Sequence, residues 1–306
     1  MQRKYFTRQT LIVILLALMP FGLMGQSEFT HFLYGGVRDA NKIVNAYASP
    51  LMEGIGNNLA CGWYNTADAL KPGRFQLRFI GSVSLAPDSR QRFDMSEMDL
   101  EHTSWNEEAG PVFPTIFGKK SDNRMFFTWN SPVEEMKLVL SYKLPVPDTR
   151  MLPLVLPQLS VGVYKGTEVM LRFLPEMKIP GIRTEPIRTA FWGFGLKHNI
   201  DQWFGPIPFP FKLSVLGSYG KAGLNLRGPV LLPDEIIEGL PVSSTENYDE
   251  QLFDFESRVY TLSLLLSKKL PAFTFFAGLN YTNADTELSF KGAYPVPVFN
   301  DDSELV

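Results

Sequence analysis

The sequence has 306 residues, a formal net charge of −3 and a single cysteine. The near balance of acidic and basic residues excludes the basic surface that binds nucleic acid. Cys61 cannot form an intramolecular disulfide, and no histidine or cysteine cluster has the spacing of a metal site. Scattered Pro and Gly, with 24 phenylalanines, are typical of short strands separated by turns.

Residues 1–25 have the pattern of a secretory signal. Three basic residues precede the apolar core Leu11–Leu18, and Gly25 is a small residue at a cleavage point before Gln26. We therefore expect an exported protein whose first 25 residues do not take part in the fold. A single N-terminal membrane anchor is the alternative interpretation of the same residues.

The region 26–73 is predicted to be a helix followed by a plug. Glu28–Leu51 has apolar residues at helical spacing, and Pro50 predicts the end of the helix. The overlapping stretch Asn45–Leu70 is rich in small and polar residues, and its aromatic residues do not alternate as in a strand. Such a stretch is not suited to the wall of a barrel, so we expect it to fill the interior.

From Arg74 onward the apolar residues recur with a period of two. One face of each predicted strand carries large apolar residues, while the other carries mainly Gly, Ser, Thr and Asn. Small polar residues suit a barrel interior and large apolar ones suit lipid. Residues 74–306 are therefore predicted to form an all-β, antiparallel transmembrane β-barrel around the helix and plug; a soluble two-sheet sandwich is the alternative. The predicted strands are Arg74–Leu85, Met125–Trp129, Lys137–Leu144, Leu159–Tyr164, Glu168–Leu174, Ala190–Lys197, Phe211–Tyr219, Tyr260–Lys269, Phe273–Thr282 and, after a turn at Asn283–Asp285, Thr286–Phe290.

The connections between these strands are unequal in length. Tight turns are predicted at Lys165–Gly166, Gly220–Lys221 and Lys269–Ala272. Long polar connections are predicted at Pro87–Asn123, Pro145–Pro157, Pro175–Pro186 and Gly228–Gln251. Five tyrosines near the predicted strand ends would form an interfacial girdle: Tyr142, Tyr164, Tyr219, Tyr260 and Tyr281. Short turns at one end of a barrel and long connections at the other are typical of proteins of the cell outer membrane. Membrane lipids are therefore the expected partners.

The plug resembles the N-terminal hatch of FadL-type long-chain fatty-acid transporters. The matching residues are Ala46-Tyr47-Ala48 and Trp63-Tyr64-Asn65-Thr66-Ala67, followed by Leu70. Thr66 stands where that family has Pro, and Asp68-Ala69 replace its single Gly. The resemblance implies a barrel whose interior segment controls the entry of a small hydrophobic compound.

More of the chain is similar to a widespread family of exported bacterial proteins of unknown function. That resemblance implies an envelope protein and supplies no activity. The matching pieces are Gly62–Ala67, Pro87-Asp88, Phe113–Gly118, Lys197–Ile200 and Gln202-Trp203.

The sequence does not end in the aromatic-terminated strand that is usual for outer-membrane barrels. Its last eight residues, Phe299–Val306, are mostly polar and indicate a loop. Either closing strands follow the sequence given, or the barrel is assembled by another route. We expect the first.

These patterns predict a binding or transport protein and not an enzyme. His31, His102 and His198 are isolated from nucleophile and metal-ligand motifs, so no catalytic residue, cofactor or metal is expected.

The first hypothesis is a plugged outer-membrane barrel for a small hydrophobic compound, with Tyr47, Trp63, Tyr64 and Asn65 in the plug. In it the Asn65 side chain would hydrogen-bond to the wall, while the aromatic rings pack or contact the ligand. The alternatives are a structural or surface-interaction barrel that binds a partner through its long loops, and a soluble periplasmic β-protein. The sequence leaves the oligomeric state open.

Overall fold

The largest element of the fold is a curled antiparallel sheet of seven strands. The computed structural model describes residues 31–130, 137–147, 149–179, 187–204, 210–227 and 250–294. Its twelve strands are β1 (Phe75–Leu85), β2 (Arg92–Asp94), β3 (Thr103–Trp105), β4 (Val112–Pro114), β5 (Met125–Asn130), β6 (Lys137–Tyr142), β7 (Met151–Tyr164), β8 (Thr167–Ile179), β9 (Ile187–Asn199), β10 (Lys212–Arg227), β11 (Leu252–Lys269) and β12 (Thr274–Lys291). The large sheet has the order β1-β7-β8-β9-β10-β11-β12 and the shape of half a barrel. The predicted signal, residues 1–25, lies outside the described residues.

The prediction of antiparallel strands with one apolar face and one small or polar face is confirmed. On β11 every second residue from Arg258 to Lys268 is exposed on the convex face. The residues between them are buried against the concave side and are mostly small, for example Thr261, Ser263 and Ser267. Large apolar side chains therefore lie on the outside of the curl.

Several predicted boundaries are wrong because the strands are longer than the alternation indicated. Gly220–Lys221, predicted as a turn, lies inside β10, and Asn283–Asp285 lies inside β12. Most of the predicted connection Pro145–Pro157 belongs to β7. These stretches carry the Gly, Asn, Asp and Pro residues that favour turns in isolation, but hydrogen bonds to both neighbours keep β10 extended. The tight turns at Lys165–Gly166 and after Lys269 are confirmed.

Two predicted strands do not belong to the wall. Met125–Trp129 and Lys137–Leu144 correspond to β5 and β6, which form a separate three-stranded sheet with β3. A second small sheet pairs β2 with β4. We call the described part of residues 86–147, which contains both small sheets, the cap.

The helix α1 (Gly36–Ala60) extends ten residues beyond Pro50, so the predicted end at Pro50 is wrong. Proline has no N–H for the carbonyl four residues earlier, which here belongs to Ala46. The Ser49 hydroxyl donates a hydrogen bond to that Ala46 carbonyl oxygen at 3.0 Å. The backbone group that Pro50 leaves unpaired is thus satisfied, and the helix continues.

Helix α1 lies along the concave side of the sheet and contacts β12, β11, β1 and β7. Its close approach depends on two glycines: a Cβ on Gly56 would lie 2.9 Å from the Cβ of Ala284, and one on Gly54 would lie 3.1 Å from Leu152. The apolar core joins helix, sheet and cap through residues such as Phe127 and Leu156. Among the described residues, no helix is both long and apolar enough to cross a membrane.

The cap is fixed to α1 by one buried carboxylate. Asp39 is fully buried and accepts hydrogen bonds from the main-chain N–H groups of Glu101, His102 and Thr103 and from the Thr103 hydroxyl, at 2.8–3.1 Å. Trp129 stacks on the His102 ring at 3.7 Å and donates to the Tyr34 carbonyl. The cap therefore lies over the beginning of the helix, at the sheet end that carries the long connections.

Candidate functional site: a plug held by the concave face

The chain leaves α1 at Ala60 and crosses the concave face as an irregular segment, Cys61–Gly73, which we call the plug segment. Gly62 has a φ of 73°, and a Cβ there would collide with Ile80 of β1. Only glycine fits this position, because the backbone is left-handed and the wall is close. The turn directs the following residues into the concavity.

Arg172, on the concave face of β8, holds the junction between helix and plug segment. Its side chain is 1% exposed. It donates hydrogen bonds to the Leu59 carbonyl at 3.0 Å, the Cys61 carbonyl at 2.8 Å and the Gln158 side chain at 2.9 Å. A cation at the carboxyl end of a helix also interacts favourably with the helix dipole. This one guanidinium therefore satisfies carbonyls that the end of α1 leaves unpaired.

Trp63 is buried within the plug segment, with 2% exposure. The Arg172 guanidinium carbon lies 3.9 Å from the centre of its ring, which is a cation–π contact. On the other side the ring lies against Gly193 and Gly195 of β9. Its carbonyl accepts hydrogen bonds from Arg78 at 2.9 Å and Gln158 at 3.1 Å.

The structure places the other three predicted site residues in different surroundings. Tyr64 donates to the Asn280 side chain at 3.0 Å and packs edge-on against Phe276, both on β12. Asn65 is exposed, and its side chain makes no hydrogen bond to any described residue. Tyr47 lies in the helix core, fully buried, and donates to the Pro145 carbonyl at 2.6 Å. The described wall therefore makes no bond to the Asn65 side chain, and Tyr47 is separate from the plug segment.

The wall bonds are made instead by the main chain of Thr66–Leu70. Lys197 donates to the carbonyls of Thr66 at 3.3 Å and Asp68 at 3.2 Å. The Ala67 N–H donates to the Ser267 hydroxyl at 3.0 Å, and the Ala67 carbonyl accepts from Ser214. The Ala69 N–H donates to Asn199 at 2.9 Å, and the Leu70 N–H to Glu168 at 3.0 Å. The wall residues come from four neighbouring strands: Glu168 (β8), Lys197 and Asn199 (β9), Ser214 (β10) and Ser267 (β11).

Glu168 and Lys197 also pair with each other at 2.9 Å, and their side chains are 4% and 3% exposed. They are cross-strand partners in the register of β8 and β9. A buried ion pair of this kind contributes little net stability unless its remaining hydrogen-bonding capacity is used. Here both side chains use that remaining capacity in hydrogen bonds to the main chain of the plug segment.

Sequence reasoning missed most of the residues that hold the plug segment. Gln158, Glu168 and Arg172 each lie on a strand face that is otherwise apolar or small. The available signal was a lone long polar side chain on a predicted interior face. The position on the concave face was predictable from that alternation, whereas the main-chain partner was not.

We predict that Gly195→Ala disturbs the plug segment, because the new Cβ would lie 2.9 Å from the Trp63 ring. Overpacking of this kind costs about 1–3 kcal/mol in the free energy of unfolding, as measured by urea denaturation. The matched control is Gly217→Ala on β10, where nothing lies within 4 Å of an added Cβ. Equal effects of the two substitutions would contradict a tight seat for Trp63.

No group of three or more His, Cys, Asp or Glu side chains that could hold a metal occurs among the described residues. No curated protein matches the chain significantly, and no solved structure does so. The model of a family of unknown function, DUF6588, matches residues 3–305. That match covers nearly the whole sequence, and the protein is therefore a member of the DUF6588 family.

Proposed function

We propose that this protein is an outer-membrane β-barrel whose interior plug controls the binding or passage of a small hydrophobic compound. The observation that carries the proposal is the exposed apolar surface on the convex side of the sheet. Side chains such as Phe75, Phe79, Leu262 and Leu279 are more than 60% exposed there. A contiguous apolar surface of this size is unusual on a protein in water and suits contact with lipid.

Charged residues mark both ends of the apolar surface along the direction of the strands. On β11 the exposed apolar side chains lie between Arg258 and Lys268. Ten residue steps span about 34 Å along a strand, or about 26 Å across a membrane at a tilt of about 40°. That height is close to the apolar band of about 25 Å in outer-membrane barrels.

Aromatic rings lie at one limit of this band. Tyr219 contacts Trp192 at 5.2 Å and Tyr260 at 4.8 Å between ring centres. Beyond this row most outward side chains of β11 and β12 are charged, and Lys221 of β10 pairs with Glu256 at 2.7 Å. Rings between an apolar and a charged zone are expected at a membrane interface.

Closure of the wall is part of the proposal. β1 and β12 are the two edge strands of the described sheet. They run in the same direction, because the six successive strand pairings that lead from one to the other are all antiparallel. An antiparallel barrel therefore requires an odd number of further strands between them, which gives an even total as in bacterial outer-membrane barrels.

The concave side supports a closed resting state. Helix α1 and the cap fill one part of it, and the plug segment is fixed by hydrogen bonds from the wall at the other end. Tyr64 and Phe276 provide a half-buried aromatic surface beside the plug segment, where an apolar compound would make its first contact. Passage then requires displacement of the plug segment.

We predict that Leu264→Arg, at the middle of the apolar band, impairs membrane insertion. An arginine facing lipid at mid-depth costs about 2–4 kcal/mol. The measurement is the fraction of protein retained in vesicles after carbonate extraction and its heat-dependent migration on a gel. Arg258→Leu, at the charged limit of the band, is the control and is expected to insert normally. If Leu264→Arg is retained in vesicles as fully as the unaltered protein, contact of this position with lipid is contradicted. If carbonate releases the unaltered protein itself, the convex face is in water and a soluble periplasmic β-protein becomes the better description.

A second candidate is a surface-interaction barrel in which the plug is a permanent seal. The cap favours it, since Asp39 and the Arg38 pairs with Asp99 and Glu101 hold the cap in one arrangement over the helix. A fixed surface at the end with long connections is suited to a partner. Unchanged permeability after the plug segment is loosened would select this candidate.

A further inference from the structure

We infer that the groove around Thr66–Leu70 is a binding site for a polypeptide backbone that bends as this segment does at Ala67 and Asp68, and that the chain's own segment occupies it as an internal competitor. The ligand class is a peptide that adopts the same bend and has a small side chain at the Ala67 position. The inference goes beyond the proposed function and does not depend on membrane insertion or on closure of the wall.

The wall side chains form hydrogen bonds mainly to the main chain of the segment and hardly at all to its side chains. Six main-chain atoms of Thr66–Leu70 are bonded by wall side chains: the carbonyl oxygens of Thr66, Ala67 and Asp68 and the nitrogens of Ala67, Ala69 and Leu70. Within the described part of the wall, one bond to a side chain of the segment occurs, between the Thr66 and Ser267 hydroxyls at 3.1 Å. Such contacts recognise the peptide unit, which every sequence shares.

Steric selection is confined to one position. Ala67 is fully buried beside Leu216 and Leu265, whereas the Asp68 side chain is exposed. A larger residue at Ala67 would have to displace these leucines. The groove therefore selects by size at this position and accepts variation at the next.

The atoms of the groove are buried and already oriented. Lys197, Asn199, Ser214 and Ser267 are each at most 5% exposed, and Glu168 is held by Lys197. If the segment left without replacement, each of these groups would lose its bond to the segment, at a cost of about 1–3 kcal/mol for each group left unsatisfied. Exchange for another backbone of the same shape restores these bonds, so exchange is favoured over simple opening.

The test uses a chain in which the internal competitor is weakened and the groove is intact. The double variant Ala67→Pro/Leu70→Pro removes the N–H groups that donate to Ser267 and Glu168. The probe is a fluorescent peptide with the sequence of residues 65–70, acetylated and amidated, and binding is measured by anisotropy. We expect the double variant to bind it at least tenfold more tightly than the unaltered protein does.

Matched peptides show whether the backbone is what is recognised. Methylation of the nitrogen that corresponds to Leu70 should abolish binding, whereas methylation of the Thr66 nitrogen, which donates no hydrogen bond to a described residue, should not. A folded double variant that binds no peptide, or binds both methylated peptides equally, overturns the inference.

If the double variant does not fold, hydrogen exchange on the unaltered protein provides the test. Excess unmodified peptide should increase deuterium uptake in Thr66–Leu70, and the Leu70-methylated peptide should not. Equal uptake with both peptides overturns the inference.

Discussion

Replacing Asp39 by alanine is expected to lower the free energy of unfolding by about 3–5 kcal/mol. Five hydrogen bonds at 2.8–3.1 Å end on this fully buried carboxylate, and four different donors in Glu101–Thr103 would lose their acceptor. Buried donors left unsatisfied, together with a lost charged acceptor, place this substitution among the most destabilising single changes. The measurement is urea unfolding, with limited proteolysis of the cap as a local readout.

The control for Asp39 is the exposed carboxylate of Asp99, whose side chain is 81% accessible and pairs with Arg38. Asp99→Asn should change stability by less than about 1 kcal/mol, because exposed ion pairs contribute little. Thr103→Val, which removes one donor to Asp39, should have an intermediate effect. Comparable results for Asp39→Ala and Asp99→Asn would show that the cap does not depend on the buried carboxylate.

Arg172→Met is expected to loosen the plug segment and to lower the free energy of unfolding by about 3–4 kcal/mol. Methionine has a similar length but donates no hydrogen bond, so the Leu59 and Cys61 carbonyls lose a buried charged donor. The cation–π contact with Trp63 is lost as well. The measurements are urea unfolding, deuterium uptake in the plug segment and release of a small apolar dye from vesicles that contain the protein.

Arg74→Met is the matched control for Arg172→Met, since Arg74 is exposed just before β1. Arg172→Lys should recover only part of the loss, because an ammonium group cannot reproduce the planar fork that bonds three acceptors. Increased uptake with unchanged dye release would argue against gating and for a sealed barrel. Unchanged uptake would contradict the role of Arg172 in holding the plug segment.

Local sequence signals predicted the wall and misplaced several ends. A period of two predicts which side chains share a face, and the faces of β11 follow it. Pro50 predicts the end of a helix only when the freed carbonyl has no other donor, and Ser49 supplies one. The turn signals inside β10 and β12 are likewise overruled by long ladders with neighbouring strands.

The position of the plug could be predicted, but not the residues that hold it. Trp63 and Tyr64 were recognisable as aromatic residues outside the alternation. Arg172 carried no motif, and the match at Lys197–Ile200 gave no role for Lys197. Both residues hold main-chain carbonyls more than 100 residues away in the sequence, which no local pattern indicates.

The sequence by itself determined the antiparallel wall, its apolar and polar faces and the separate N-terminal segment, because these depend on periodicity over a few residues. Only the tertiary structure decided which strands form the cap and how the plug segment is bonded. The strand register places Gln158 opposite Arg172, and Glu168 opposite Lys197, on one concave face. Hydrogen bonds from there to a distant main chain depend on the curl of the whole sheet, which no local pattern encodes.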